Sequence, residues 1–104
     1  MPPKVKVTKE EIIAAALEIL RQKGMEAVNA RAVAAALGCS TQPIFSNYSS
    51  MGALQHDVLA AGYAEYNRWI EQQMKEGRYP PYKASGMAYI SFARRQPPLF
   101  KELF

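Results

Sequence analysis

The stretch ARAVAAALGCSTQPIFSNYSS, residues 30–50, decides the fold of this chain. An alanine-rich run ends at Gly38, and a second short apolar pattern begins only a few residues later. Gly38 permits the left-handed backbone of a sharp turn, Ala34 is small where two helices would cross, and Ile44 would face back into a shared core. The stretch therefore predicts two helices joined by a tight turn, with the second helix projecting outward. A plain helical hairpin of an all-α protein would show the same pattern.

Capping residues and apolar spacing extend this prediction along the chain. Thr8-Lys9-Glu10-Glu11 has the form of a capping box, and Asn29, Ser40 and Ser50 are candidate N-caps. No stretch has a convincing strand pattern. We expect an all-α fold, with a three-helix head followed by a long connecting helix and further helices. The predicted helices lie at about 9–23, 30–37, 41–47, 51–75 and 81–95, with a last segment at 99–104 that Pro97-Pro98 introduces.

Three regions are expected from this pattern. Residues 1–7 read as a flexible basic arm, residues 8–50 as a helix-turn-helix domain, and residues 51–104 as a connecting helix with further helices. The last region ends at the apolar pair Leu103-Phe104. Because such an end is normally buried against a later helix, we expect a fragment or a short form.

Composition excludes several classes of protein. Apolar residues make up 49% of the 104 residues, which argues against disorder. No apolar run approaches the roughly 20 residues that span a membrane, and no signal-peptide core is present, so we expect a cytoplasmic protein. The one cysteine, Cys39, and the one histidine, His56, make a metal site improbable. We expect packing for Cys39, a structural or solvated His56, no cofactor, and no enzymatic activity, because no catalytic constellation is present.

The distribution of charge is more informative than the net charge of +4. No Asp or Glu occurs between Glu26 and Asp57, and Arg31 is the only Lys or Arg in that interval. A phosphate backbone could therefore approach this stretch without meeting a carboxylate. An ordinary neutral helical hairpin would have the same property.

The segment from about residue 8 to residue 60 resembles the N-terminal domain of the TetR/AcrR family. The resemblance rests on a first helix ending in Lys23-Gly24, on ARAVAAALGCS, and on PIFSNYSS before the long helix. It implies a homodimer that binds a palindromic double-stranded DNA operator and usually represses transcription. It also implies a C-terminal helical domain that responds to a small-molecule effector, so residues 51–104 would hold the connecting helix and a truncated regulatory or ligand-binding region.

The resemblance places the start of the second helix of the turn on DNA base edges. Thr41 and Gln42 match that position, and Gln42 can pair with adenine; a solvent-facing role is its alternative. Pro43 either touches a thymine methyl or simply starts the helix. Ser46 and Asn47 are expected on the same reading face.

Other matched positions are candidates for phosphate contact. Arg31 and the hydroxyls of Ser40 and Ser50 belong here, with solvation or simple capping as the alternatives. Tyr48 is interpreted as a core residue whose hydroxyl could also reach the DNA backbone. The sequence departs from the family at Phe45, where tyrosine is frequent and which we interpret as packing, and at Met51, where lysine is frequent.

The predicted connecting helix carries Tyr63, Tyr66 and Trp69. An aromatic stripe of this kind is either core or part of a ligand pocket. A second hypothesis for the whole chain is a helical protein-interaction module, whose DNA-binding-like head no longer binds specific DNA.

Overall fold

The computed structural model describes residues 6–104, and it is all-α over that range, as predicted. Residues 1–5 of the expected basic arm lie outside the described residues. None of the described helices is long and apolar enough to cross a bilayer. The helices are α1 (Lys9–Lys23), α2 (Ala30–Leu37), α3 (Gln42–Asn47), α4 (Met51–Lys75), α5 (Pro81–Arg95) and α6 (Pro97–Leu103), with a short 3₁₀ turn at Met25–Ala27.

Three of the predicted N-caps are present in the structure. Glu11 N–H donates to Thr8 Oγ1 at 3.1 Å, and Thr8 N–H donates back to Glu11 Oε1 at 3.2 Å, which completes the capping box of α1. The side chains of Asn29 and Ser50 each accept from the N–H three residues on, at 2.9 and 3.1 Å. These bonds satisfy backbone donors that have no partner inside the helix.

The predicted cap of α3 is wrong. Ser40 is not the N-cap, because the backbone of Thr41 already has helical angles (φ −76°, ψ −12°). The Thr41 carbonyl therefore accepts from Ile44 and Phe45, at 3.0 and 3.2 Å, and closes the first turn. Ser40 Oγ accepts only a long 3.4 Å bond from Gln42 N–H. Pro43 lies in the first turn, as expected.

The last helix begins two residues earlier than predicted, at Pro97, and ends at Leu103. Proline has the backbone angle that a first helical turn requires, and the N–H that it lacks would have no partner there. The carbonyl of Gln96 accepts from Phe100 N–H at 2.8 Å and closes this turn.

One apolar core runs from the head to the last helix. The first four helices supply its fully buried members, and α6 adds Leu99, so no polar layer separates the two halves of the chain. The largest fully buried side chains are Ile12, Leu20, Val33, Ile44, Leu54, Val58 and Leu99.

Gly62 allows α6 to lie close against α4. It is buried in the middle of α4, and a Cβ at this position would lie 2.9 Å from Leu99 Cδ1 and 3.2 Å from Leu103 Cδ2. Both leucines are themselves buried, so they have little room to move. The absence of a side chain at residue 62 therefore sets the distance between the two helices.

We predict that Gly62→Ala lowers the free energy of unfolding by about 1 kcal/mol, because overpacking outweighs the better helix propensity of alanine. The matched control is Gly86→Ala in α5, where a Cβ would meet nothing within 4 Å. That substitution should raise stability by about 0.5–1 kcal/mol. Urea unfolding of both variants at one protein concentration measures the difference. Equal stabilisation by the two substitutions would contradict the close approach at Gly62.

Candidate nucleic-acid interface

The turn between α2 and α3 has the geometry predicted from its residues. Gly38 adopts a left-handed backbone, with φ 69° and ψ 34°, and Cys39 N–H donates to the Ala34 carbonyl at 3.0 Å. Ala34 and Ile44 are both buried between the helices. Cys39 is half-buried and packs against the core. Helix α3 is consequently held by its inner side, and its outer side faces away from the head.

The outer side of α3 presents Gln42, Phe45 and Ser46, which are all exposed. Thr41, Pro43 and Asn47 are partly exposed around them. Phe45 is 58% exposed, so the interpretation of this residue as a packing residue is wrong. The spacing of residues 42, 45 and 46 places them on one face of a helix, opposite the buried Ile44. Because α3 has only six residues, its apolar spacing does not by itself identify Phe45 as an outward residue.

Two of the predicted reading residues make hydrogen bonds within the head. Ser46 Oγ donates to the Gln42 carbonyl at 2.9 Å, which leaves the lone pairs of this exposed hydroxyl available as acceptors. Asn47 Nδ2 donates to the Pro43 carbonyl at 2.8 Å and to the Val7 carbonyl at 3.5 Å. Asn47 therefore uses its donors to link α3 to the segment before α1, and it is less available to DNA than Gln42.

A groove of about 570 Å³ lies beside α3. It is lined by residues from both ends of the head: Lys6, Val7, Ser40, Gln42, Pro43, Ser46 and Asn47. Five of these seven are residues that the family resemblance assigned to DNA contact. Lys6 and Val7 were not assigned, because they lie more than 30 positions away from α3 in the sequence.

The phosphate candidates lie at helix starts. Arg31 is exposed in the first turn of α2, and Ser50 is exposed at the start of α4. The backbone N–H groups at the start of a helix have no partner inside the helix. Together with the positive end of the helix dipole, they favour an anion at that position. Met51 is half-buried and packs against the core, so residue 51 presents no cation at the start of α4.

The structure places Tyr48 in the core rather than on the surface. It is 4% exposed, and its hydroxyl donates to Asp57 Oδ2 at 2.8 Å, while the Lys9 ammonium lies 5.1 Å from the ring centre. The hydroxyl therefore joins the end of α3 to α4 and does not face a DNA backbone. The suggestion of a phosphate contact by Tyr48 is not supported by this geometry.

Burial and the hydrogen bond between Tyr48 and Asp57 shift the pKa values of both side chains. Burial, followed by the bond to Asp57, raises the pKa of Tyr48 from its ordinary value of 10.0 to about 12. The same hydrogen bond holds the pKa of Asp57 below its ordinary value. His56 lies on the solvent side, with Nδ1 3.5 Å from Asp57 Oδ1. The carboxylate closest in sequence to α3 is therefore engaged by its own neighbours.

The aromatic residues proposed for a ligand pocket make contacts between helices instead. Tyr63 hydroxyl donates to the Leu103 carbonyl at 2.5 Å, and the Tyr66 ring lies edge-on to Phe92 at 5.0 Å. Trp69 Nε1 donates at 3.1 Å to both the carbonyl of Ala88 and the hydroxyl of Ser91 on α5. These contacts favour the packing interpretation of the stripe.

Three short helices, with a glycine turn before an outward third helix, define a helix-turn-helix DNA-binding domain. Residues 12–58 match the model of the bacterial regulatory proteins, tetR family. This match supports a TetR-family N-terminal DNA-binding domain in the head of the chain. Searches of curated proteins and of solved structures found no match to the chain.

We predict an alkaline loss of stability that depends on Tyr48. Because the folded-state pKa of about 12 lies above the ordinary 10.0, the neutral hydroxyl stabilises the fold below pH 10. This contribution is lost as the pH rises from 10 towards 12. Tyr48→Phe should flatten this part of the stability curve, measured by urea unfolding between pH 8 and pH 12.

The matched control is Tyr79→Phe, since Tyr79 is exposed and lies in the loop after α4. It should leave the alkaline slope unchanged. A slope that is the same in wild type and Tyr48→Phe would show that the hydroxyl titrates in the same way in the folded and unfolded chains.

Proposed function

We propose that this protein regulates transcription by binding operator DNA with the outer face of α3 in the major groove. The observation that carries the proposal is the exposed set Gln42, Phe45 and Ser46 on a helix that is held by its buried side. No carboxylate occurs between Glu26 and Asp57 to repel a phosphate backbone. The TetR-family match over this same segment supports the assignment.

Gln42 and Phe45 are the proposed centre of base reading. Gln42 can donate to and accept from adenine through one side-chain amide. Phe45 can contact a thymine methyl with its exposed ring. Thr41, Pro43 and Ser46 border these two residues. Asn47 has a secondary role in base reading, because its side-chain N–H groups already donate to carbonyls within the head.

Arg31, Ser40 and Ser50 are the proposed phosphate contacts. Arg31 stands at the start of α2 and Ser50 at the start of α4, so the two helix starts would approach the backbone on either side of the reading helix. Such contacts position the domain on the duplex without selecting sequence.

The same proposal includes a homodimer on a palindromic operator, acting as a cytoplasmic repressor that responds to a small-molecule effector. The exposed apolar side chains of α5 support self-association, since Tyr82 is 81% exposed and Ile90 is 49% exposed. The division into residues 8–50 for DNA and residues 51–104 for regulation belongs to this proposal.

An effector that displaced Tyr66 or Trp69 from α5 would disturb α4, which also packs against the head.

Gln42→Ala and Arg31→Ala should have different effects on a duplex enriched from random sequence. Gln42→Ala should relax discrimination at one base pair by about 1–3 kcal/mol. Arg31→Ala should weaken enriched and random duplexes about equally and lower the salt slope by about one. Fluorescence anisotropy across a range of salt concentrations, with single-base variants of the duplex, measures both effects.

Gln72→Ala and Arg78→Ala are matched controls, because both residues are exposed at the far end of α4 or just beyond it. Neither substitution should change binding by a comparable amount. If the wild-type protein binds enriched and random duplexes equally weakly, the proposed function is wrong.

The exposed apolar face of α5 also favours a second candidate, a module that binds another protein. Ile90→Glu distinguishes the two candidates. If the face forms the homodimer, this substitution should raise the dimer dissociation constant at least tenfold in sedimentation equilibrium, because burying a carboxylate is costly. Ala60→Glu, at an exposed position on α4, is the control and should leave the dimer intact. A wild-type chain that is monomeric and shows no preference among duplexes would favour the interaction module.

A further inference from the structure

Among the described residues that line the groove beside α3, one is charged, Lys6. The others are Val7, Pro43 and the polar side chains of Ser40, Gln42, Ser46 and Asn47. The groove opens on the same side of α3 as Gln42 and Ser46. A ligand in this groove would therefore touch the base-reading residues and a cation together.

Three contacts of Val7 and Thr8 hold the segment that carries Lys6 against the head. The Val7 side chain packs against the core. The Val7 carbonyl accepts from Asn47 Nδ2 at 3.5 Å, at the end of α3. Thr8 then caps α1. Lys6 is held next to the groove by these contacts, while its exposed side chain keeps the length and freedom to reach an anion.

The carboxylates nearest in sequence do not neutralise Lys6 through the groove. Glu10 and Glu11 lie in the first turn of α1, and neither lines the groove. Glu11 is engaged by the hydroxyl and the backbone N–H of Thr8. The next acidic residue beyond α3, Asp57, accepts from Tyr48. The described residues that line the groove therefore carry a net positive charge, contributed by Lys6.

We infer that this groove receives the sugar-phosphate backbone of the operator strand that borders α3, and that Lys6 contacts a phosphate there. The inference rests on the proposed function and adds to it a binding site and a cation that the sequence pattern did not indicate. The volume of about 570 Å³ accommodates a stretch of backbone rather than a single ion. Ser40, which also lines the groove, offers the same strand a hydroxyl contact.

This assignment gives the head a cation that α4 does not supply. Met51 packs against the core at the start of α4, where members of the resembled family frequently have a lysine. Lys6 reaches the DNA-facing side from the other end of the head.

Lys6→Gln tests the inference on the duplex enriched by the full chain. Each phosphate neutralised adds about 0.9 to the salt slope, so the variant should lose about one unit of slope and roughly eightfold in affinity near 0.1 M salt. Enriched and random duplexes should weaken by the same factor, because a phosphate contact does not read sequence. Lys75→Gln is the matched control. It removes one positive charge, as Lys6→Gln does, but at the C-terminal end of the 25-residue α4. It should therefore change the salt slope much less.

A second variant tests the anchoring of the segment. Val7→Ala removes apolar packing without changing charge, and it should lower affinity by releasing Lys6 from its position. The double variant Lys6→Gln, Val7→Ala should then bind no more weakly than Lys6→Gln alone, because both changes remove the same contact. Thermal unfolding checks that Val7→Ala is folded at the assay temperature.

The outcomes separate this inference from the function on which it rests. If the wild-type chain has no preference for any enriched duplex, the proposed function fails and the inference fails with it. If the wild-type chain discriminates but Lys6→Gln and Lys75→Gln behave alike, the inference alone is wrong. A Lys6→Gln variant that changes base preference and keeps the salt slope would also overturn it, because Lys6 would then read bases.

Discussion

The left-handed backbone at Gly38 sets the angle between α2 and α3, and the proposed DNA-facing surface depends on that angle. A Cβ at residue 38 would meet nothing within 4 Å, so the requirement is on the backbone and not on space. With the angle fixed, Ile44 fills the core and Ala34 allows the helices to meet. Gln42, Phe45 and Ser46 are then left outside, since a helix that buries one side must expose the other.

The head is connected to the remaining helices by both apolar and polar contacts. Leu99 and Leu103 of α6 belong to the same core cluster as the head residues. At its edge, Glu65 of α4 accepts from Arg21 of α1 and, at 3.0 Å, from Gln96 at the start of α6. A displacement of α6 would have to break these contacts or move α1 as well. The head and the helices after it are therefore held together as one body.

The helix bounds could be predicted from the sequence because local chemistry determines them. Thr8, Asn29 and Ser50 each cap a helix through a bond to a residue only three positions away. The prediction failed at Ser40, where capping depends on the backbone angles of the following residue, which its sequence does not reveal.

The orientation of single side chains depended on tertiary structure. Phe45 lies on a helix of six residues, too short for apolar spacing to separate the inside from the outside. Lys6 became a candidate only when folding placed it beside residues 40–47, and Tyr48 lost its proposed DNA contact because Asp57 on α4 accepts its hydroxyl. These contacts join positions that no local pattern relates.

The central claim is that the outer face of α3, with the groove beside it, meets the DNA. Backbone amide chemical shifts of the labelled chain, recorded during titration with its enriched duplex, test this claim most directly. The account predicts that the largest changes fall at residues 40–47, with further changes at residues 6–7 and at the starts of α2 and α4. Changes confined to α5 and α6, with residues 40–47 unaffected by a saturating duplex, would contradict it.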